Sequence, residues 1–209
     1  IGQRAFWEHQ FEVNPSVLIP RPESELLVEL TMQIATEQTF TPQSLSIVDL
    51  GTGSGAIAIS LAHELPQAEV TAVDVSLEAL DVARKNAENI GVTNVKFIEG
   101  NWFSKLDGRR YSLIVANPPY IAIDDPHLAR GDLRFEPIGA LNAGAEGIDD
   151  IQKIINQSTN HLQPNGHLLI EHGFEQGSEV RSLLGNAGFD SIATHRDIAG
   201  HERVSCGSI

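Results

Sequence analysis

Four consecutive residues, Asn117-Pro118-Pro119-Tyr120, combine the groups needed to hold a planar nitrogen. The two prolines fix φ and remove two backbone donors, so nearby carbonyls are free to bind something other than a neighbouring strand. The Asn117 side-chain oxygen and the Pro118 carbonyl could accept the two N–H bonds of an amide or amino group, and the Tyr120 ring could fix its rotation. The tetrapeptide therefore indicates chemistry on such a nitrogen, with catalysis mostly by positioning.

A simpler explanation covers the prolines alone, because Pro118 and Pro119 would end any strand that preceded them. It does not account for Asn117 and Tyr120, which follow a predicted strand at the edge where open α/β sheets bind ligands. We therefore favour a binding role for the tetrapeptide.

A second group of residues surrounds the glycine-rich segment Asp49-Leu-Gly-Thr-Gly-Ser-Gly55, between a predicted strand and a predicted helix. Glycines permit tight turns and close approach of a ligand, and a helix N-terminus offers free N–H groups to an anionic group. Asp74 ends the next predicted strand, where its carboxylate could accept hydrogen bonds from both hydroxyls of a ribose. Its alternative role is to support the start of the helix that Ser76 caps.

Two ligands that contain a ribose fit this arrangement. The spacing of Gly51, Gly53 and Ala56 satisfies the pattern of NAD-binding proteins, so NAD and S-adenosylmethionine both stay open at this point. Gly55 favours the methyl donor, whose more compact body can press close to the loop. A sulfonium is an excellent leaving group, and the sequence shows no evident hydride-transfer site.

The elements that must position these residues alternate from residue 45 onward. Strands are predicted for residues 45–50, 69–74, 94–99, 111–116, 166–171, 190–196 and 203–206, and helices for 54–64, 77–90, 148–162 and 174–187. Alternation predicts a parallel, doubly wound sheet. The last two strands have too short a connection for a crossover helix and should pair antiparallel. We expect an α/β, Rossmann-like fold with a seven-stranded mixed sheet whose last strand is antiparallel. Residues 164–166 predict a turn, and residues 121–147 show no sustained period.

Residues 1–22 follow a different pattern. Phe6-Trp7 and residues 11–13 predict a hairpin, and Pro22 suits the first turn of a helix. The apolar face of that helix comprises Leu26, Leu27, Leu30 and Ile34. The chain begins without Met, and we expect residues 1–22 to be a hairpin and linker from a missing N-terminal domain, followed by one domain over residues 23–209.

The composition argues against several partners. The net charge is -14, with 14 Lys and Arg against 28 Asp and Glu, so direct binding to nucleic acid is disfavoured. The longest apolar stretch, around residues 56–62, is too short to cross a bilayer. Cys206 is the one cysteine, which fits a reducing cytoplasm, and no Cys/His spacing suits zinc, so we expect no metal.

The glycine loop, Asp74 and the tetrapeptide together resemble the amino methyltransferases, which include adenine-N6 DNA methyltransferases and glutamine-N5 protein methyltransferases. Further segments resemble the bacterial peptide chain release factor glutamine methyltransferases (the HemK/PrmC family). These segments are Phe6-Trp7 and residues 18–23, 101–103, 131–137, 170–173 and 201–204.

This resemblance implies a class I methyltransferase that transfers a methyl group from S-adenosyl-L-methionine to the glutamine amide of the GGQ motif in release factors, leaving S-adenosyl-L-homocysteine. It implies that the catalytic residues are Asn117, Pro118 and Tyr120, and that the substrate is held by Asn117, Pro118, Pro119 and Tyr120. It implies cofactor contacts from Gly51, Thr52, Gly53, Ser54, Gly55, Asp74, Trp102 and Asn117. The expected partner is a release factor, and the expected state is a monomer.

Other readings remain open at this point. An adenine-N6 nucleic-acid methyltransferase is the main alternative, and an NAD-binding module and a non-catalytic partner-binding domain are two more. Trp102 could equally be a core residue, and Asn101 stands where the family often has Asp. We also interpret Glu171 and His172 as supports of the site and Arg21 with Glu23 as its entrance. Arg134 with Glu136 would form part of a lid. Acidic groups around residues 124–150 would steer the release factor.

Overall fold

The computed structural model describes residues 2–37, 45–120 and 147–209. The strands are β1 (Gln3–Phe6), β2 (His9–Glu12), β3 (Ser46–Leu50), β4 (Glu69–Asp74), β5 (Val95–Glu99), β6 (Tyr111–Ala116), β7 (Leu162–Glu171), β8 (Asp190–Arg196) and β9 (Glu202–Ser208). The helices are α1 (Glu25–Glu37), α2 (Ala56–Glu64), α3 (Leu77–Ile90), α4 (Asp149–Ser158) and α5 (Gly177–Asn186), and a short 3-10 turn, Pro22–Ser24, precedes α1. In these ranges no helix is both long and apolar enough to cross a bilayer.

The seven-stranded sheet has the order β5-β4-β3-β6-β7-β9-β8. Strands β3 to β7 pair parallel, and β9 pairs antiparallel with both β7 and β8. This confirms the mixed Rossmann-like sheet and the antiparallel last strand. The chain reverses its direction of travel across the sheet between β3 and β6, so the segments that follow these two strands lie side by side, where such sheets bind ligands.

Apolar side chains on both faces of the sheet build the core. Strand β6 is buried along its whole length, as expected of a central parallel strand covered by helices on both sides. Ile47 and Leu113 belong to the apolar cluster that includes α1 and α2, whereas Val48 and Ile114 belong to the cluster that includes α4 and α5. The central strands are thereby fixed on both sides, and their carboxyl ends form a firm base for a site.

The N-terminal hairpin is confirmed, with Phe6 paired to His9 across the turn. Asn86 on α3 holds it to the domain. The Asn86 side chain accepts a hydrogen bond from the Glu12 backbone N–H at 2.7 Å and donates to the Glu12 carbonyl at 3.0 Å. The same amide nitrogen donates to the Ser54 carbonyl at 2.9 Å, so one side chain joins the hairpin to the glycine loop.

Three predicted boundaries differ from the structure by more than two residues, each for a local reason. Helix α4 ends at Ser158 rather than at residue 162, because β7 already begins at Leu162. The predicted turn at residues 164–166 lies inside β7, where Asn165 adopts φ of 63° and the pairing with β6 shifts register. Helix α5 begins at Gly177 rather than at residue 174, because the Gln176 side chain accepts from the Gly173 N–H at 2.8 Å and stabilises a turn there.

Candidate active site

A cleft of about 520 Å³ opens at the carboxyl ends of the parallel strands. Residues that follow four neighbouring strands meet in it, and the linker after the hairpin forms the facing wall. The lining includes residues 15–18 of the linker, Gly51, Gly53, Asp74, residues 100–102, Asn117, Pro119 and Asp150. The volume lies in the range of small-molecule and cofactor sites, roughly 300–1,000 Å³.

The glycine loop after β3 adopts a conformation that side chains would oppose. Gly51, Gly53 and Gly55 have φ of 76°, 54° and 83°, in the left-handed region that favours glycine. A Cβ at Gly51 would lie 3.2 Å from the Trp102 ring, and one at Gly55 would lie 2.5 Å from the Ile59 side chain. The loop backbone is therefore left bare where it borders the cleft.

Asp74 supports the start of α3 and also lines the cleft. Its Oδ2 accepts from the Gly53 N–H at 2.8 Å, and its Oδ1 accepts from the Ser76 N–H at 2.9 Å. Ser76 in turn caps α3 by accepting from the Ala79 N–H at 3.1 Å. A carboxylate has about four lone-pair positions, so Asp74 keeps acceptor capacity on the side that lines the cleft.

Beneath the loop lies a second carboxylate, Asp49, which is 1% exposed. Its Oδ2 accepts from the Thr52 hydroxyl at 2.7 Å, and its Oδ1 has no hydrogen-bond partner among the described residues. Burial raises the pKa of Asp49 to about 7, with a smaller contribution from the charge of Asp74 and with the Thr52 hydrogen bond opposing.

Trp102 both lines the cleft and packs against the apolar cluster on the α4 and α5 side of the sheet. It has φ of 50°, an uncommon conformation for a residue with a side chain. The neighbouring Asn101 is exposed in the same cleft wall. The two possibilities raised for Trp102 from sequence, core and site, are therefore compatible.

The tetrapeptide borders the cleft through Asn117 and Pro119. The Asn117 Nδ2 donates to the Ser24 hydroxyl oxygen at 2.9 Å, and no donor among the described residues bonds to the Asn117 Oδ1. Pro118 is buried, and the Tyr120 hydroxyl donates to the Glu171 Oε1 at 3.3 Å. Burial, followed by the negative charge of Glu171, raises the pKa of Tyr120 above its usual range, so the phenol stays neutral and remains a donor.

Glu171 is the last residue of β7, behind the tetrapeptide, and His172 follows it. Burial raises the pKa of Glu171 to about 7, while the Ser24 hydroxyl, the charge of Arg203 and the Tyr120 hydroxyl oppose this rise. His172 Nε2 lies 2.8 Å from the Ser205 hydroxyl, and burial lowers the pKa of its imidazole. Neither side chain lines the cleft: Glu171 reaches the tetrapeptide through the Tyr120 hydroxyl, whereas the His172 ring bonds to Ser205 and to the Gly173 carbonyl.

Comparison with known proteins gives the family. A family profile described as a methyltransferase domain matches residues 42–191. Release factor glutamine methyltransferases match 99% of the chain: that of Vibrio cholerae is 47% identical, with 71% of its own length covered, and that of Pseudomonas aeruginosa is 49% identical, with 73% covered. The chain belongs to the release factor glutamine methyltransferase family.

Solved structures of more distant methyltransferases show the same fold. A methyltransferase from Pyrococcus furiosus superposes with a TM-score of 0.67 at 19% identity, covering 95% of this chain and 87% of its own. The 16S rRNA N2 G1207 methyltransferase of Thermus thermophilus, solved with AdoMet and guanosine, gives 0.69 at 21% identity, covering 99% of this chain and 50% of its own.

Only some of the site residues that were predicted from the sequence line the cleft. Those in the cleft lining are Gly51, Gly53, Asp74, Trp102, Asn117 and Pro119. The Thr52 hydroxyl is turned to Asp49, the Ser54 carbonyl is bound by Asn86, and Gly55 presses on Ile59. Arg134, Glu136 and most of the segment with the predicted steering charges lie outside the described residues. Among the described residues, no group of three His, Cys, Asp or Glu side chains could hold a metal ion.

Sequence reasoning overlooked two contributors. Ser24 follows Pro22 in a segment typical of a helix start, so nothing local distinguishes it from an ordinary first-turn residue. Linker residues 15–18 were predicted only as a connection, yet they form a cleft wall. Val13 and Val17 pack against Ala79 and Val82 of α3, and these apolar residues were the available signal that the linker lies on the domain.

Proposed function

We propose that this protein transfers a methyl group from S-adenosyl-L-methionine to the side-chain amide nitrogen of a glutamine in peptide chain release factors. The observation that carries the proposal is the hydrogen bonding of the Asn117 side chain at the cleft. Its amide nitrogen is bound to Ser24 and its oxygen is left as an acceptor, which is what a substrate N–H requires.

The residues present fit the methyl donor. The bare backbone at Gly51 and Gly53 and the acceptor capacity of Asp74 suit a ribose, and the Trp102 ring provides an apolar surface in the same cleft. Bound there, S-adenosyl-L-methionine supplies an electrophilic methyl group on a sulfonium leaving group. Asn117 borders the same space and is a candidate for contact with the donor as well as with the substrate.

The catalytic contribution of the chain is orientation. The lone pair of a glutamine amide nitrogen is delocalised, so it must be aligned with the methyl carbon to react. The Asn117 Oδ1 and the Pro118 carbonyl are proposed to accept the two N–H bonds, with Pro119 and the Tyr120 ring restricting rotation of the amide plane. Fixing two reacting groups in this way can remove several kcal/mol of barrier, up to about 7–11 kcal/mol for ideal alignment.

The net charge of -14 supports a protein substrate, because a nucleic-acid enzyme needs cationic groups to bind phosphates. Relatives named release factor glutamine methyltransferase span nearly the whole chain, so the adenine-N6 alternative is not favoured. A monomeric state, a cytoplasmic location and a domain boundary at residue 22 stay predictions.

Mass spectrometry tests the proposal. A bacterial release factor is incubated with the protein and S-adenosyl-L-methionine, digested, and searched for a glutamine that gains one methyl group. Wild-type protein should modify one glutamine, and Asn117→Ala should not. Asn160→Ala, at an exposed position just after α4, should behave as wild type. Methyl transfer to DNA or RNA adenine without transfer to the release factor would contradict the proposal.

A further inference from the structure

We propose that Ser24 and Glu171 are positioning residues that determine which end of the Asn117 amide faces the substrate. The inference deepens the proposed function and rests on it for the identity of the substrate. It concerns two side chains behind the cleft, one at the start of α1 and one at the end of β7.

The contact between Ser24 and Asn117 has a fixed polarity. The two residues lie 93 positions apart, and the Asn117 Nδ2 lies 2.9 Å from the Ser24 Oγ. Ser24 is 4% exposed, so solvent does not compete for this bond. Because the amide nitrogen donates, the Ser24 oxygen accepts, and the Ser24 O–H remains to be donated elsewhere.

Glu171 provides the acceptor for that hydrogen. Its side chain is fully buried, and its Oε1 accepts the Tyr120 hydroxyl at 3.3 Å. No described residue makes a hydrogen bond of good distance and angle to its Oε2, so this oxygen keeps its acceptor capacity. The Ser24 hydroxyl is close enough to lower the pKa of Glu171. In its ionised form, which the Ser24 hydroxyl, the charge of Arg203 and the Tyr120 hydroxyl favour, Glu171 can only accept, so both hydroxyls then point toward it. One carboxylate thereby orients both polar side chains of the tetrapeptide.

These contacts decide which way round the Asn117 amide is turned, which the shape of the side chain alone does not decide. A primary amide turned by 180° has nearly the same outline, with NH₂ and C=O exchanged, and its hydrogen bonds decide between the two. In the orientation that Ser24 imposes, Asn117 offers an oxygen to the substrate amide. In the opposite orientation, Asn117 would present N–H groups to the N–H groups of glutamine, and the substrate nitrogen would lose an acceptor.

Steady-state kinetics with release factor as substrate test the inference through Ser24→Ala and Ser24→Thr. We expect Ser24→Ala to lower kcat about 10- to 100-fold, the range for a misplaced catalytic group, and to leave the donor dissociation constant within about 2-fold by calorimetry. Ser24→Thr keeps the hydroxyl and should restore most of the rate. Ser158→Ala removes another buried serine hydroxyl, which bonds only within α4, and should match wild type.

A second measurement does not depend on activity. In nitrogen-15 NMR spectra, the Asn117 side-chain amide, assigned by its loss in Asn117→Ala, should show one proton protected from solvent exchange in wild type and Ser24→Thr. Ser24→Ala should lose that protection.

An unchanged kcat in Ser24→Ala, or an Asn117 amide whose protection survives the substitution, would overturn the inference. If wild-type protein fails to methylate release factor, the proposed function fails, while the NMR comparison still decides whether Ser24 orients Asn117.

Discussion

Replacing Asp49 by Asn should change how the stability of the protein depends on pH. The carboxyl group lies under the glycine loop, and burial raises its pKa from 3.8 to about 7. The folded protein therefore keeps a proton on Asp49 that the unfolded chain has already released. Between pH 3.8 and pH 7, this contribution to the free energy of unfolding is lost as pH rises. The Asn side chain has no proton to lose and removes this dependence.

The magnitude follows from the linkage relation. One proton held by the folded state alone gives a slope of about 1.4 kcal/mol per pH unit, so wild type should lose roughly 2 kcal/mol relative to Asp49→Asn between pH 5 and pH 7. Burial lowers the pKa of His9, His167 and His172, and their titration gives an opposite slope in part of this window. Because both proteins contain these histidines, their effect cancels in the difference.

Urea unfolding at constant ionic strength, without ligand, from pH 5 to pH 8 measures the effect. The difference in unfolding free energy should shift in favour of Asp49→Asn up to about pH 7 and then level off. Asp81→Asn, at an exposed ion pair with Arg84, controls for the loss of one acidic group. A constant difference between Asp49→Asn and wild type over the whole range would refute the reasoning about burial.

Three further changes test other contacts. Gly51→Ala should weaken binding of the methyl donor about 10-fold or more by calorimetry, since the added Cβ meets the Trp102 ring. Gly91→Ala has a similar φ of 87° but nothing within 4 Å of its Cβ, so it should only lower stability by about 1 kcal/mol. Equal donor affinity in the two variants would contradict this reasoning. Tyr120→Phe should retain methyl transfer within about 10-fold and Tyr120→Ala should lose about 100-fold, because in the proposed arrangement the ring and not the hydroxyl restricts the substrate amide. Equal losses in the two variants would contradict that division of roles. Asn86→Ala should lower the unfolding free energy by about 1–3 kcal/mol in urea titrations, since three hydrogen bonds to backbone groups are lost, and an unchanged midpoint would show that they contribute little.

Sequence patterns were sufficient to predict the strands at the centre of the sheet. Strands β4 and β6 have the predicted bounds, because buried parallel strands are continuous apolar runs with clear ends. Strand β6 lies beside β3, which is compatible with the predicted doubly wound sheet, and this brings the tetrapeptide next to the glycine loop. These features depend on local composition and on rules of chain connection, which a sequence contains.

The features that sequence did not predict depend on distant partners. Pro164-Asn165-Gly166 has the composition of a turn, yet Leu162 pairs with Tyr111 and the Asn165 N–H donates to the Ile209 carbonyl, so the segment becomes part of β7. Ser24 has no local mark of function, because its significance comes from Asn117. Tertiary contacts decide such positions, and single-sequence propensities cannot contain them.

The position of Asn86 has a consequence for how this domain can be divided or recombined. Its side chain binds the hairpin backbone on one side and the glycine loop on the other, while the linker that follows the hairpin forms a wall of the cleft. A shortened protein that starts at residue 23 would therefore lack part of its ligand site, even though the seven-stranded sheet would be complete. In any chimera or fusion, the hairpin and α3 should therefore be exchanged together. The hairpin should not be treated as a spacer between modules.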